Sequence, residues 1–224
     1  MNVRVKICGI TCLEDALNAI DAGADALGFV FCEGSPRRVS PERAAGIIEA
    51  LPPFVSKVGL FVNADESEVS AAVQQSGVDT VQFHGDEAPE FCRRFRLKIV
   101  KAFRVRDASS LAALPRYDVS AWLLDSFVPG KSGGTGERFN WDLARQATRL
   151  GGRIILAGGL TPGNVSAAVS QVCPYAVDVS SGVEGTPGRK EAHKMKDFIQ
   201  AAKQAGVGLL PLKVAGAEAA IAGG

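Results

Sequence analysis

The chain has 224 residues, 46% of them hydrophobic and 22% charged, and 25 Lys and Arg set against 24 Asp and Glu give a formal charge of +1. This length suits one large domain or two small ones with a full core, and the composition is far from that of a disordered chain. The balanced charge argues against nucleic acid or an anionic membrane as the main partner, because both select a basic excess; a local basic pocket for a small anion is still allowed.

No apolar run approaches the ~20 residues of a membrane span. The opening residues 1–8 are broken by Arg4 and Lys6, so no signal peptide is expected. Five cysteines stand at positions 8, 12, 32, 92 and 173. Their odd number and wide scatter fit reduced thiols, and a cytoplasmic location is expected. Cys8 and Cys12 form the one close pair, with no second Cys/His pair at ligand spacing, so no metal site is expected.

Short β-rich runs alternate with helical patterns. Residues 3–8 read as a strand and 13–22 as a helix, with Thr11 as cap and Glu14 completing a capping box. A strand at 26–31 precedes a helix that starts at Pro41 behind Ser40 and stops at Pro52-Pro53. A strand at 55–62 leads to a helix at 66–75 ended by Gly77. Strand 80–83, helix 87–95, strand 98–103, a short helix at 108–114 and strand 121–125 follow. A Gly-rich loop, 129–136, separates these from a helix at 141–148. Strand 153–157, helix 162–172, strand 176–179 and a helix at 189–205 complete the pattern.

These are eight strand–helix units. Runs such as Ala26 to Phe31 and Ile154 to Ala157 are continuously apolar, as a parallel sheet buried on both faces requires. The expected fold is α/β, a single closed (β/α)8 barrel over residues 1–205, with an open doubly wound sheet as the competitor. The Ala/Gly-rich tail, 206–224, has three readings: packed across the barrel bottom, joined to a partner, or loose.

In such a barrel the chemistry sits at the C-terminal ends of the strands. Those ends carry Cys8-Gly9, Ser35-Pro36-Arg37-Arg38, Gln82-Phe83-His84-Gly85, Asp125, Gly158-Gly159 and Ser180-Ser181-Gly182. Gly158, Gly159, Ser181 and Gly182 form a candidate phosphate cradle, with Gly134 and Gly136 from the 129–136 loop closing over it. The glycines also admit a plain turn-forming role. Cys8 and Asp125 suit a base and an acid on two faces of a substrate, although a thiol needs a cationic or dipolar neighbourhood to act as base. Arg37 and Arg38 fit a carboxylate fork or a solvated surface pair. His84 fits a site residue or a satisfied core histidine. His193 reads as a solvated face, and Cys12, Cys32, Cys92 and Cys173 as ordinary buried or surface thiols.

Lys6-Ile7-Cys8-Gly9-Ile10-Thr11 resembles the opening signature of the phosphoribosylanthranilate isomerase family. Gly23 to Phe31, Val81-Gln82-Phe83-His84-Gly85, Leu124-Asp125, Gly133-Gly134-Thr135-Gly136, Leu156 to Leu160 and Val177 to Glu184 are similar to that family in the same order, over about residues 3–205. The resemblance implies a (β/α)8 isomerase of tryptophan biosynthesis that converts N-(5-phosphoribosyl)anthranilate into its 1-deoxyribulose isomer by an Amadori rearrangement, the third step from chorismate. It implies Asp125 as general acid, Cys8 as general base and Arg37 as the anthranilate carboxylate's holder, with His84 and Gln82 in the pocket. It implies a phosphosugar substrate and no metal or organic cofactor; a monomer or a homodimer is expected, and the sequence leaves the two open. A histidine-pathway isomerase would resemble this chain with Asp in place of Cys8; an enzyme serving both pathways and a non-catalytic phosphosugar-binding barrel are the alternatives.

Overall fold

The alternation of side chains along eight short strands decides which residues meet inside and which face the helices. The computed structural model describes residues 3–126 and 141–208. Its strands are β1 (Arg4–Cys8), β2 (Ala26–Val30), β3 (Ser56–Phe61), β4 (Thr80–Phe83), β5 (Lys98–Val105), β6 (Ala121–Ser126), β7 (Ile154–Leu156) and β8 (Ala176–Val179). Each pairs in parallel with its sequence neighbour, and β8 pairs with β1 through Val5↔Val177 and Lys6↔Asp178, closing the barrel. Val100, Ala102, Ala121, Leu123, Ile155, Ala157 and Ala176 fill its lower interior. Ile7, Leu27, Phe29, Leu124, Leu156 and Val177, at the alternate positions, pack outward in a core shared with Met195 and Phe198 of the last helix.

The helices are α1 (Leu13–Asp21), α2 (Pro41–Glu49), α3 (Glu66–Ser76), α4 (Pro89–Cys92), α5 (Trp141–Ala147), α6 (Val165–Val172) and α7 (Ala192–Gly206). Local signals set several ends. The Ser40 side chain accepts from the Arg43 N–H behind Pro41, and α3 ends on Gly77 at φ +73°, a left-handed position that suits glycine. Asp65 and Glu68 form the capping box of α3.

Four expectations are corrected. Thr11 does not cap α1: Cys12 holds the N-cap position without a side-chain bond, and Thr11 Oγ1 donates to the Gly188 carbonyl at 2.6 Å. The helix expected at 87–95 shrinks to four residues, because Glu87 turns back to accept from the Asn63 and Gly85 N–H groups and pairs with buried Lys101 at 3.1 Å. The short helix is held by Phe91 and Phe95 packing on Phe83, each with ring centres 5.4 Å away. The segment after β5 is a 3-10 helix, Ala108–Arg116, that carries Pro115. The helix expected from Arg189 begins only at Ala192; before it a hairpin of β9 (Glu184–Thr186) and β10 (Arg189–Lys190) lies against the loops after β1 and β2, where Gly188 meets Thr11 and Glu184 meets Arg37, and Lys190 is drawn into a bond with Glu184.

The 129–136 loop and the tail from residue 209 onward lie outside the described residues. Among the described residues, no helix is long and apolar enough to cross a membrane.

Candidate active site

The inward-facing column that fills the barrel turns polar near the strand ends. There a cavity of about 670 Å³ opens, bordered by Cys8, Arg37, Gln82, His84, Asp125, Gly158, Gly159, Ser181 and Gly182. These sequence-expected residues therefore share one site. Gly134 and Gly136 lie outside the described residues.

Cys8 ends β1 beside Gly28 of β2, where a Cβ would come within 2.8 Å of the Cys8 sulfur. Glycine at that position leaves room for the thiol. Burial pushes the thiol above its ordinary value, and Asp178 adds to that; Lys6 and Lys190 pull the other way. Lys6, two residues earlier and so on the same face of the strand, bonds Asp178 of β8 at 2.8 Å, with both side chains nearly buried. Burial works against the Lys6 ammonium, yet Asp178 and Cys8 outweigh it and hold the lysine above its usual value.

Asp125, the penultimate residue of β6, meets His84 Nε2 at 3.3 Å through Oδ2. His84 Nδ1 lies 3.0 Å from the Gln82 amide nitrogen. In that arrangement the amide donates to Nδ1, which places the ring proton on Nε2, facing Asp125 Oδ2. The Gln82 Oε1 is buried with no partner.

The structure separates the two arginines. Arg37 is clamped by Glu184, Nε to Oε1 at 2.8 Å and Nη2 to Oε2 at 2.6 Å. Its bonds to Glu184 hold the guanidinium above its ordinary value. Arg38 points away to the rim, 3.5 Å from exposed Glu33. The loop is shaped by Ser35, whose Oγ accepts from the Arg37 N–H. Glu184 also accepts from Lys190 at 2.8 Å. Burial opposes its ionisation, but the Arg37 and Lys190 bonds prevail and keep the carboxyl below its usual range.

The loops after β7 and β8 touch. A Cβ on Gly182 would come 2.0 Å from the Leu160 carbonyl oxygen, so only glycine allows this approach. Gly158 and Gly159 take left-handed φ of +81° and +65°. Asn164 fixes the loop that follows, accepting from Thr161 N–H and donating to the Gly159 carbonyl.

Lys6, Asp178, Glu184 and Lys190 were not singled out by sequence reasoning. Counting back two residues from Cys8 would have found Lys6; the hairpin that carries Glu184 and Lys190 has no comparable signal. Cys32 also borders the cavity, whereas His193 is solvated as expected and pairs with Glu191.

A closed parallel barrel that gathers a buried thiol, a carboxyl group, an oriented arginine and two touching glycine loops at one mouth is of the (β/α)8 class, whose enzymes carry their active sites at that end. Residues 5–201 match the family described as "PRAI: N-(5'phosphoribosyl)anthranilate (PRA) isomerase". The chain belongs to that family. It is 60% identical over 201 residues to the N-(5'-phosphoribosyl)anthranilate isomerase of Citrifermentans bemidjiense, covering 90% of this chain and 97% of the relative. With the Pelobacter propionicus enzyme of the same name it shares 56% over 202 residues, 90% of this chain and 96% of the other. The crystal structure of phosphoribosyl anthranilate isomerase from Thermotoga maritima superposes with a TM-score of 0.85 at 43% identity, covering 90% of this chain and 99% of that one. Another solved isomerase, TM-score 0.82 and 42% identical over 90% of this chain and 99% of its own, holds reduced 1-(o-carboxyphenylamino)-1-deoxyribulose 5-phosphate.

Proposed function

We infer that this chain catalyses the rearrangement of N-(5-phosphoribosyl)anthranilate to 1-(2-carboxyphenylamino)-1-deoxyribulose 5-phosphate, with Asp125 as acid and Cys8 as base. The observation that carries the role assignment is that both side chains border one cavity together with Arg37 and the two glycine loops.

The reaction needs a proton on the ribose ring oxygen, then loss of the proton on C2. Asp125 gives its proton to the ring oxygen as the C1–O bond breaks, and the nitrogen lone pair forms the C1=N bond. The Cys8 thiolate takes the C2 proton, and the C–H pair moves into the iminium to give an enolamine. Tautomerisation of the enolamine places the carbonyl at C2. The imine is the electron sink, so the chemistry calls for no added cofactor. Acid and base groups of this kind each contribute about 10²–10⁴-fold.

Binding handles hold the two ends of the substrate. Arg37 offers its remaining N–H groups to the anthranilate carboxylate. The backbone at Gly158, Gly159, Ser181 and Gly182 takes the phosphate, where small residues allow close approach. His84, with Gln82 behind it, orients Asp125. The test is turnover of freshly generated phosphoribosylanthranilate by the full chain. Product above background is expected; none would overturn the proposal.

A further inference from the structure

Burial of Cys8 favours the thiol, whereas proton abstraction needs the thiolate. We propose that Lys6 is the positioning residue that makes Cys8 a base, and that Asp178 sets how much of the lysine's charge the sulfur feels. This rests on Cys8 being the base.

The geometry carries it. Lys6 and Cys8 project from the same face of β1 over Gly28, where a Cβ would stand 2.8 Å from the Cys8 sulfur and 3.2 Å from the Lys6 Cε. Any side chain at position 28 would wedge between them. The end of the Lys6 side chain and the Cys8 sulfur thus flank the same small space, and the ammonium is bound there by Asp178 Oδ1 at 2.8 Å. The lysine is fixed by one bond with its charge held beside the sulfur. An ammonium and its carboxylate in an apolar interior cost much in desolvation and are weak evidence of a purely stabilising role.

Other charged or titratable groups face Cys8. Lys190 of β10 acts in the same direction as Lys6. Burial lowers the Lys190 ammonium's own value, with Glu184 opposing. Arg37, from the loop after β2, also feels the sulfur, as does the Cys32 thiol. Both cations other than Lys6 bond Glu184; Lys6 differs in standing two residues before Cys8 on the same face of β1, with its Cε and the sulfur both against the Gly28 Cβ position. At equilibrium the thiol proton leaves to solvent, the Lys6 charge stabilises the sulfur anion, and in turnover that anion receives the C2 proton.

The test reads the thiolate without turnover. Iodoacetamide alkylation of Cys8 in the full chain is followed against pH by peptide mass spectrometry, which separates Cys8 from the other four cysteines. Lys6→Met is expected to raise the alkylation midpoint by about one pH unit or more. Lys6→Arg returns it toward the wild-type value. Asp178→Asn moves it down, because the sulfur then becomes the lysine's counter-charge. The acidic limb of the kcat/KM profile moves with each midpoint. If Lys6→Met does not fold, the double variant Lys6→Met with Asp178→Asn removes both buried charges, and its midpoint rises as well. A midpoint that fails to rise without Lys6, or fails to fall in Asp178→Asn, overturns the proposal. Unmoved midpoints with an inactive Cys8→Ser variant would remove Lys6 alone; full kcat in Cys8→Ser would instead remove Cys8 as the base.

Discussion

Arg37 and Glu184 meet in a two-pronged ion pair, Nε on Oε1 and Nη2 on Oε2, which turns an arginine in a loop into a fixed element of the cavity wall. Glu184 stands on the hairpin after β8, and Lys190 of that hairpin holds its Oε1 from the other side. A guanidinium so held loses little further freedom when a carboxylate arrives at its free N–H groups.

Arg37 and Arg38 are adjacent but not equivalent. Truncating a charged partner in a buried hydrogen-bonded contact costs about 2–5 kcal/mol, whereas an exposed pair such as Arg38–Glu33 is worth under about 1 kcal/mol. Arg37→Ala is therefore expected to raise KM strongly, and Arg38→Ala to leave it nearly unchanged. Steady-state kinetics of the two variants decide. A larger effect from Arg38→Ala would shift the carboxylate contact by one residue.

Glu184 ties stability to acid. Its carboxyl is held below the usual range in the folded chain. The ion pairs therefore contribute stability that is fully present above the unfolded carboxyl value and is lost as pH falls through the folded one. Glu184→Gln is expected to cost about 1.5–3 kcal/mol at pH 7. The gap from wild type should shrink below about pH 4. Urea unfolding of both proteins at pH 7 and pH 3 measures it; a gap that does not depend on pH would contradict the clamp.

Gly182 has no room for a methyl group, since its Cβ position lies against the Leu160 carbonyl. Gly182→Ala should push the two glycine loops apart, costing about 1–3 kcal/mol of stability and weakening competitive inhibition by inorganic phosphate. Gly46 of α2 has nothing within 4 Å of its Cβ position. Gly46→Ala is expected to stabilise by about 0.5–1 kcal/mol and to leave phosphate inhibition unchanged. Equal inhibition in wild type and Gly182→Ala would argue against a phosphate seat there.

The sequence made the barrel legible because short continuously apolar runs, proline starts and glycine stops are local. Strands β4 and β8 fall on the residues expected, and Ser40 caps α2 as its position before Pro41 suggested. What stayed hidden depends on partners far along the chain. Thr11 is claimed by Gly188, 177 residues away, so its capping pattern is spent elsewhere. Glu87 belongs to a buried pair with Lys101 rather than to a helix. Of the site, Cys8, His84, Asp125 and the glycine loops stand at strand ends, whereas Arg37 is told from Arg38 only by the family resemblance, because the direction of a loop side chain leaves no periodic trace. The groups that tune them could not be read, because Asp178 reaches Lys6 across 172 residues and Glu184 reaches Arg37 across 147.

The central claim is that Cys8 and Asp125 act as base and acid on one substrate. The most direct measurement is single-substrate kinetics of Cys8→Ser and Asp125→Asn on freshly generated phosphoribosylanthranilate. Each variant is expected to lose kcat by about 10²-fold or more with little change in KM, the mark of groups used in the transition state. A kcat near wild type in either variant would contradict that residue's role.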